Sequence, residues 1–216
     1  MSTLGCFPKP HCGLGIILIR ATAREVHGTE VELRFGVGLI GCGNIAGTWV
    51  KAVGEHEECR MKLVFDLDKE AAQKRADEAG ARAVGELGEL LASTEIDLVV
   101  IGTPTPSHPD LVAQAAAAGK HILCEKPMAL TLAEAEEMAR AAQEAGTVTM
   151  VGYNYIRNPA FLHAKKLIEE GRIGRVVHVR GWVDEDYQAD PDLPWTWRAR
   201  LQDAGLGTLG DLGCHL

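Results

Sequence analysis

Residues 34–46 read RFGVGLIGCGNIA, a short apolar run that ends in a glycine turn and leads into helical sequence. The order matters, because G-x-G-x-x-[GA] is a weak signal alone and an informative one between a strand and a helix. Gly41 permits the tight turn, Gly43 lets the backbone approach a pyrophosphate, and Ala46 lets the helix pack closely on the strand. Asn44 and Ile45 open that helix, whose first N–H groups and partial positive charge suit phosphate. A second apolar run, MKLVFD at 61–66, ends in Asp66, roughly 20 residues beyond the glycines, where a carboxylate accepts from both ribose hydroxyls. Together these features predict a nicotinamide dinucleotide site. Asp66 favours NAD, with NADP the alternative, because a carboxylate repels a 2′-phosphate. Asp68 reads equally well as a solvated turn residue.

Outward from this unit, strand and helix patterns alternate. NIAGTWVKAVGE (44–55) is helical, and KEAAQKRADEAG (69–80) is a polar-faced helix closed by Gly80. ARAVG (81–85) and IDLVVIG (96–102) read as the third and fourth strands. HPDLVAQAAAAG (108–119) reads as a helix, KHILCE (120–125) as a fifth strand and TVTMVGYN (147–154) as a sixth. In TLAEAEEMARAAQEAG (131–146), Thr131 and Glu134 form a capping box and Gly146 a stop. Near-continuous apolar strands alternating with helices predict an α/β fold, a doubly wound parallel sheet of Rossmann type. Its predicted extent is 34–152, followed by the start of an α/β substrate domain at 153–216. There NPAFLHAKKLIEEG (158–171) is an amphipathic helix, RIGRVVHVRGWV (172–183) a strand and DEDYQADPDLPWTWRAR (184–200) a loop. All three tyrosines, with Trp182, Trp195 and Trp197, lie between 153 and 197, which suggests a recognition surface; Trp182, within a strand pattern, reads as core.

Composition narrows the function. A net charge of −8 without a Lys/Arg stripe argues against nucleic acid, and no apolar run approaches the length of a membrane span. The six cysteines form no C-x-x-C pair, which fits a reducing, cytoplasmic setting. Cys6, His11 and Cys12 lack a fourth ligand at zinc-like spacing, so no metal is expected. Residues 1–33 read as an extension, disordered or a misassigned start; its short apolar run before Ala21-x-Ala23 is interrupted by Arg20 and is not read as a leader.

GTPTPSHPD (102–110) and CEKPMAL (124–130) follow the fourth and fifth strands, at the carboxyl ends where ligands of such sheets bind. Pro127 restricts Lys126 to an extended backbone and so aims its amine in a fixed direction. The order of GVGLIGCGNIA, GTPTPSH, AGKHILCEKP, VGYNY, GRIGRVVHVRG and GLGTLGDLGCHL resembles the Gfo/Idh/MocA family of NAD(P)-dependent oxidoreductases, nearly continuously over 34–216. The resemblance implies action on sugars, inositols and related polyols, a homo-oligomer for the full-length form, and a second domain with an open, largely antiparallel sheet. In the family that domain continues well beyond the D-x-G-x-H segment, so a C-terminally truncated chain is expected. Lys126 matches the family's active-site lysine, often with a cis Lys–Pro bond, and Asp211 and His215 match its acid and catalytic histidine. Thr103, Pro104, His108, Glu125, Lys126 and Asn154 fall at cofactor-side positions, with capping of the following helix the blander role for His108.

Alcohol oxidation needs a base near neutrality as hydride leaves the carbon, and histidine is such a group. Asp211, four residues before His215, would orient the imidazole or bind a substrate hydroxyl, and Lys126 would favour alkoxide charge. Tyr153, Trp197 and Arg198, with Asp190, resemble substrate-side positions. Many members carry Arg two residues after Asn154; Ile156 stands there and Arg157 follows. Two other readings fit the same sequence: an NAD-dependent glycosidase that oxidises transiently, eliminates and re-reduces, and a non-catalytic dinucleotide-binding fragment.

Overall fold

The computed structural model describes residues 35–186, 189–194, 196–197, 200–205 and 207–215. The predicted extension at 1–33, and Trp195 and Arg198 of the predicted recognition loop, lie outside these residues. The described residues form two compact units, 154–179 and 35–153 with 180–215.

In the larger unit, β1 (Phe35–Ile40), β2 (Cys59–Phe65), β3 (Arg82–Ala83), β4 (Leu98–Ile101), β5 (His121–Cys124) and β6 (Thr149–Val151) build one sheet. Its order is β3-β2-β1-β4-β5-β6, and every pairing is parallel. This is the expected doubly wound arrangement, and the order reverses between β1 and β4, which opens a crevice at their carboxyl ends. Register is set by burial: Val37, Leu39 and Ile40 of β1 and Val99, Val100 and Ile101 of β4 are each at most 1% exposed. Such strands can be apolar throughout because both faces are covered.

Helices α1 (Asn44–Gly54), α2 (Lys69–Ala79), α3 (Leu87–Ala92), α4 (His108–Ala117) and α5 (Leu132–Glu144) make the crossovers. Ala46, Ala52, Ala72, Ala76, Ala115, Ala116 and Ala142 are buried on them, and their short side chains let the helices approach the sheet. The Asp68 side chain accepts from the N–H groups of Glu70 and Ala71, so it caps α2, a role worth about 1 kcal/mol. Gly80 closes the same helix in the left-handed region. Thr131 and Glu134 form the predicted capping box of α5.

Two elements depart from the sequence reading. Helix α3 is six residues long with no side-chain cap, and its buried Leu90 and Leu91 are adjacent, too short a pattern to display a helical period. The predicted strand at 172–183 makes no ladder among the described residues: Val177 is 78% exposed, Val179 80% and Trp182 70%. Strand pairing needs a neighbour for its N–H and C=O groups, and without one the alternating side chains have no face to bury. Trp182 is therefore not a core residue as predicted.

In the smaller unit, α6 (Pro159–Glu169) is capped by Asn158, whose side chain accepts from the Ala160 N–H at 2.9 Å. In the larger unit, short helices α7 (Leu201–Ala204) and α8 (Thr208–Asp211) precede a 3₁₀ turn at Gly213–His215.

Candidate active site

The glycine loop sits at the switch point. Gly41 has φ 95°, and its N–H donates to the Phe65 carbonyl at 2.9 Å, which ties the end of β1 to that of β2. A Cβ at Gly41 would come within 2.8 Å of Thr103 N and Gly102 C, so the loop after β4 lies directly against it. A Cβ at Gly43 would meet no heavy atom within 4 Å. That open cradle lies at the start of α1, which has no side-chain cap and no acidic residue in its first turn. Exposed Asn44 and Ile45 follow, with N–H groups that have no partner within the helix. The residues present thus fit a dinucleotide pyrophosphate.

Asp66 Oδ2 accepts from the Cys42 N–H at 2.6 Å and Oδ1 from the Asp68 N–H at 2.8 Å. Each carboxylate oxygen retains accepting capacity for a ribose hydroxyl. Cys42 itself is not a nucleophile: burial, then the charge of Asp66, pushes its thiol up to about 12. Burial likewise raises the Cys124 thiol to about 12, with Glu125 adding to it. Arg75 of α2 was not singled out from sequence; its guanidinium donates to the carbonyls of Cys42 at 3.4 Å and Gly43 at 3.2 Å, bracing the loop from behind. Its position within a polar helix gives no sequence cue.

His108 lies outside either role predicted for it. It opens α4 without capping it and is fully buried. Its Nε2 lies 2.9 Å from the Thr103 carbonyl, and Nδ1 lies 3.1 Å from that of Pro127 and 3.3 Å from that of Met128. Burial lowers its pKa, while the three carbonyls pull it back up. The ring therefore lies between the loop after β4 and the loop after β5, where the neutral imidazole donates its one N–H to a carbonyl of one of them, and its burial leaves its side chain no surface to offer a cofactor. Thr103 accepts from the Ser107 hydroxyl at 2.7 Å and Pro104 is exposed beside it.

The loop after β5 carries Glu125 and Lys126, and the Lys126–Pro127 peptide is cis. Glu125 is 9% exposed; its Oε1 accepts from the Trp49 indole N–H and its Oε2 from the Lys126 N–H. Lys126 Nζ donates to Asp211 Oδ1 at 2.6 Å and to the Asp211 carbonyl at 3.0 Å. Both side chains are largely covered, at 19% and 13% exposure. Two of the three ammonium hydrogens are so used, which leaves Lys126 capacity to donate once more.

His215 follows Asp211 on the 3₁₀ turn, and its ring meets Tyr153 edge-on with centroids 6.4 Å apart. Its pKa is lowered, first by burial and then by Lys126, against the opposing pull of Asp211 and Glu185. The imidazole is thus biased toward its neutral form, the form able to take a proton. Glu185, in the loop before α7, is a neighbour the sequence reading did not single out. Lys126, Tyr153 and the Asp211–His215 segment come together although the three lie far apart in sequence. Trp197 is half-buried in the loop before α7, and Asn154 opens the smaller unit as an exposed residue of a 3₁₀ turn. Among the described residues no cluster of three or more His, Cys, Asp or Glu could hold a metal, and no helix is long and apolar enough to cross a membrane.

Comparison with known proteins agrees with the Rossmann-type fold. A family model described as an oxidoreductase family with an NAD-binding Rossmann fold matches residues 35–153, and a GFO/IDH/MocA C-terminal domain model matches 161–216. Levoglucosan dehydrogenase of Pseudarthrobacter phenanthrenivorans is 39% identical over 72% of this chain and 40% of its own length. Inositol 2-dehydrogenase of Rhizobium meliloti is 37% identical over 68% and 43%. A levoglucosan dehydrogenase solved with NADH and levoglucosan superposes with a TM-score of 0.76 at 36% identity, covering 84% of this chain and 52% of that one. The chain spans about half the length, or less, of the relatives it matches.

Proposed function

Since the chain belongs to the Gfo/Idh/MocA oxidoreductase family, with an NAD-binding Rossmann domain, we propose that the full-length protein transfers hydride between NAD and a secondary alcohol of a sugar, inositol, anhydrosugar or related polyol. The observation that carries this reading is the Lys126–Asp211 ion pair at 2.6 Å, at the carboxyl end of β5, with His215 on the following turn. Similarity to levoglucosan and inositol dehydrogenases supports the substrate class.

When bound, the nicotinamide ring supplies the acceptor for hydride from the carbinol carbon. Gly41, Gly43, Asn44, Ile45 and Ala46 receive the pyrophosphate on the loop and helix start, and Asp66 takes the ribose. Lys126, held by Asp211, donates its remaining N–H to the substrate oxygen and stabilises the negative charge that grows there. His215 accepts the hydroxyl proton at a ring nitrogen, leaving a ketone. Tyr153, Trp197 and Arg198 form the substrate side of this reading, with Thr103, Pro104, Glu125 and Asn154 on the cofactor side. A homo-oligomer in the cytoplasm completes it; the buried, unpaired Cys42, Cys59 and Cys124 fit a reducing compartment.

The test is NADH formation by the full-length polypeptide across a panel of polyols, inositols and anhydrosugars. Lys126→Ala should abolish turnover and leave NADH affinity nearly unchanged. No NADH with any alcohol, or an equally active Lys126→Ala protein, would overturn the proposal. Light scattering and subcellular fractionation check the oligomer and compartment, a monomer or a secreted protein refuting those parts.

A further inference from the structure

Trp49 sits on α1, the helix whose first turn faces the dinucleotide, yet its side chain points inward and is 1% exposed. Its indole N–H donates to Glu125 Oε1 at 2.9 Å, a buried bond that reaches from the cofactor helix to the loop after β5. The other oxygen of the same carboxylate accepts from the backbone N–H of Lys126 at 3.1 Å. The Glu125 N–H is fixed in turn by the Ile101 carbonyl at 2.9 Å. On the opposite side stands Gly152, where a Cβ would come within 3.4 Å of three carboxylate atoms, so this glycine gives the group its room. A carboxylate in so dry a place is costly unless donors surround it, and Trp49 and Lys126 each supply one.

We propose that Trp49 is a positioning residue for Lys126, acting through Glu125. Trp49 fixes the carboxylate, the carboxylate fixes the Lys126 N–H, and the Lys126 backbone then sets where Nζ meets Asp211 and substrate. Without the indole donor the carboxylate loses a contact that fixes its orientation, and rotation about its side chain draws Oε2 away from the Lys126 N–H. Because α1 carries both Trp49 and the phosphate-facing turn, the same rigid helix sets the cofactor and the lysine against each other. This inference rests on the role of Lys126 proposed above.

The test uses the full-length polypeptide with Trp49→Phe, which keeps an aromatic ring and removes the N–H, and Glu125→Gln as a second variant. Misplacing a catalytic group by about 1 Å costs roughly 100-fold. Trp49→Phe should therefore lower kcat roughly 10- to 100-fold, with NADH affinity and KM changed no more than about twofold. The double variant should be no worse than the poorer single, as expected for residues that act as one unit. Two readouts need no turnover. The Trp49 indole N–H resonance should shift in Glu125→Gln, and acylation of the Lys126 amine, followed by peptide mass, should be several-fold faster in Trp49→Phe. Wild-type kcat in Trp49→Phe, an unmoved indole resonance, or kcat and NADH affinity falling together would overturn the proposal. If the parent protein turns over no alcohol, the hydride-transfer reading fails, and the labelling rate still decides whether Trp49 positions Lys126.

Discussion

Two glycines of the same loop should respond to the same substitution in opposite ways. At Gly41, alanine must adopt φ 95°, outside the range L-residues favour, at about 1–2 kcal/mol. Its Cβ would also lie 2.7 Å from Thr103 Cγ2 and 2.8 Å from Gly102 C and Thr103 N. Two of those three atoms are backbone, so the loop after β4 must shift, adding overpacking of about 1–3 kcal/mol. The combined loss of about 2–5 kcal/mol should lower the melting temperature by roughly 5–15 °C. At Gly43, φ is −66° and a Cβ meets nothing within 4 Å, so alanine should leave stability within about 1 kcal/mol of the parent. On the proposed reading that methyl instead fills the space given to pyrophosphate. Losing even one charge-assisted hydrogen bond there weakens binding by about 1.5–3 kcal/mol, roughly tenfold or more. Thermal melts without cofactor, paired with fluorescence titrations of NADH, separate the two effects. A Gly43→Ala protein that binds NADH like the parent would mean the pyrophosphate lies elsewhere. A Gly41→Ala protein with the parent's melting temperature would mean the loop contact is not structural.

Asp66→Ala should weaken NAD binding and relax discrimination against NADP; unchanged affinities for both would remove Asp66 from the ribose site. The lowered pKa of His215 predicts a pH limb for alcohol oxidation. Rate should rise with pH through a value below the ordinary histidine pKa of about 6.5 and then level, since only the neutral ring accepts a proton; a limb above that value would count against His215 as the base. His108 is also depressed by burial, so its folded-state stabilisation is present above its unfolded pKa and is lost as pH falls through the folded one. Relative to the parent, a His108→Gln protein should lose that acid-side dependence and about 2 kcal/mol of stability, read by denaturant melts across pH; matching curves would refute this role of the buried ring.

The parts of the fold legible in sequence were those with a repeating local cause. β1, β2, β4 and β5 announce themselves as largely apolar runs between helical patterns, and Thr131 with Glu134 marks the start of α5. Lys126, Asp211 and His215 were found only because their motifs resemble a family, since no local period joins residues 85 positions apart. Trp49, Arg75 and Glu185 escaped for the same reason. Each acts through a tertiary contact, and Trp49 in particular occupies a helix position that pattern alone assigns to the core. The run at 172–183 misled in the other direction. Its β-branched residues state a preference for an extended backbone, but pairing depends on a partner and not on the strand's own sequence, and the segment joins no ladder among the described residues.

The charges of the candidate site explain why lysine, aspartate and histidine belong together. An unpaired lysine cation, largely covered, would be costly to bury, and Asp211 offsets that cost at 2.6 Å. If the pair were fully neutralising, it would have little influence on its surroundings. Instead the Lys126 charge still lowers the His215 pKa, while Asp211 opposes it. On the proposed reading the same cation therefore acts twice: it holds the base in its neutral, proton-accepting form, and it favours the alkoxide from which hydride departs. A carboxylate base in place of His215 would be held ionised by Lys126 and made a weaker acceptor. A neutral hydrogen-bond donor in place of Lys126 would not lower the His215 pKa and would stabilise the alkoxide less. Arginine would keep the charge but bring a planar fork where a single point donor meets both Asp211 and substrate, so Lys126→Arg should recover little of the turnover lost in Lys126→Ala.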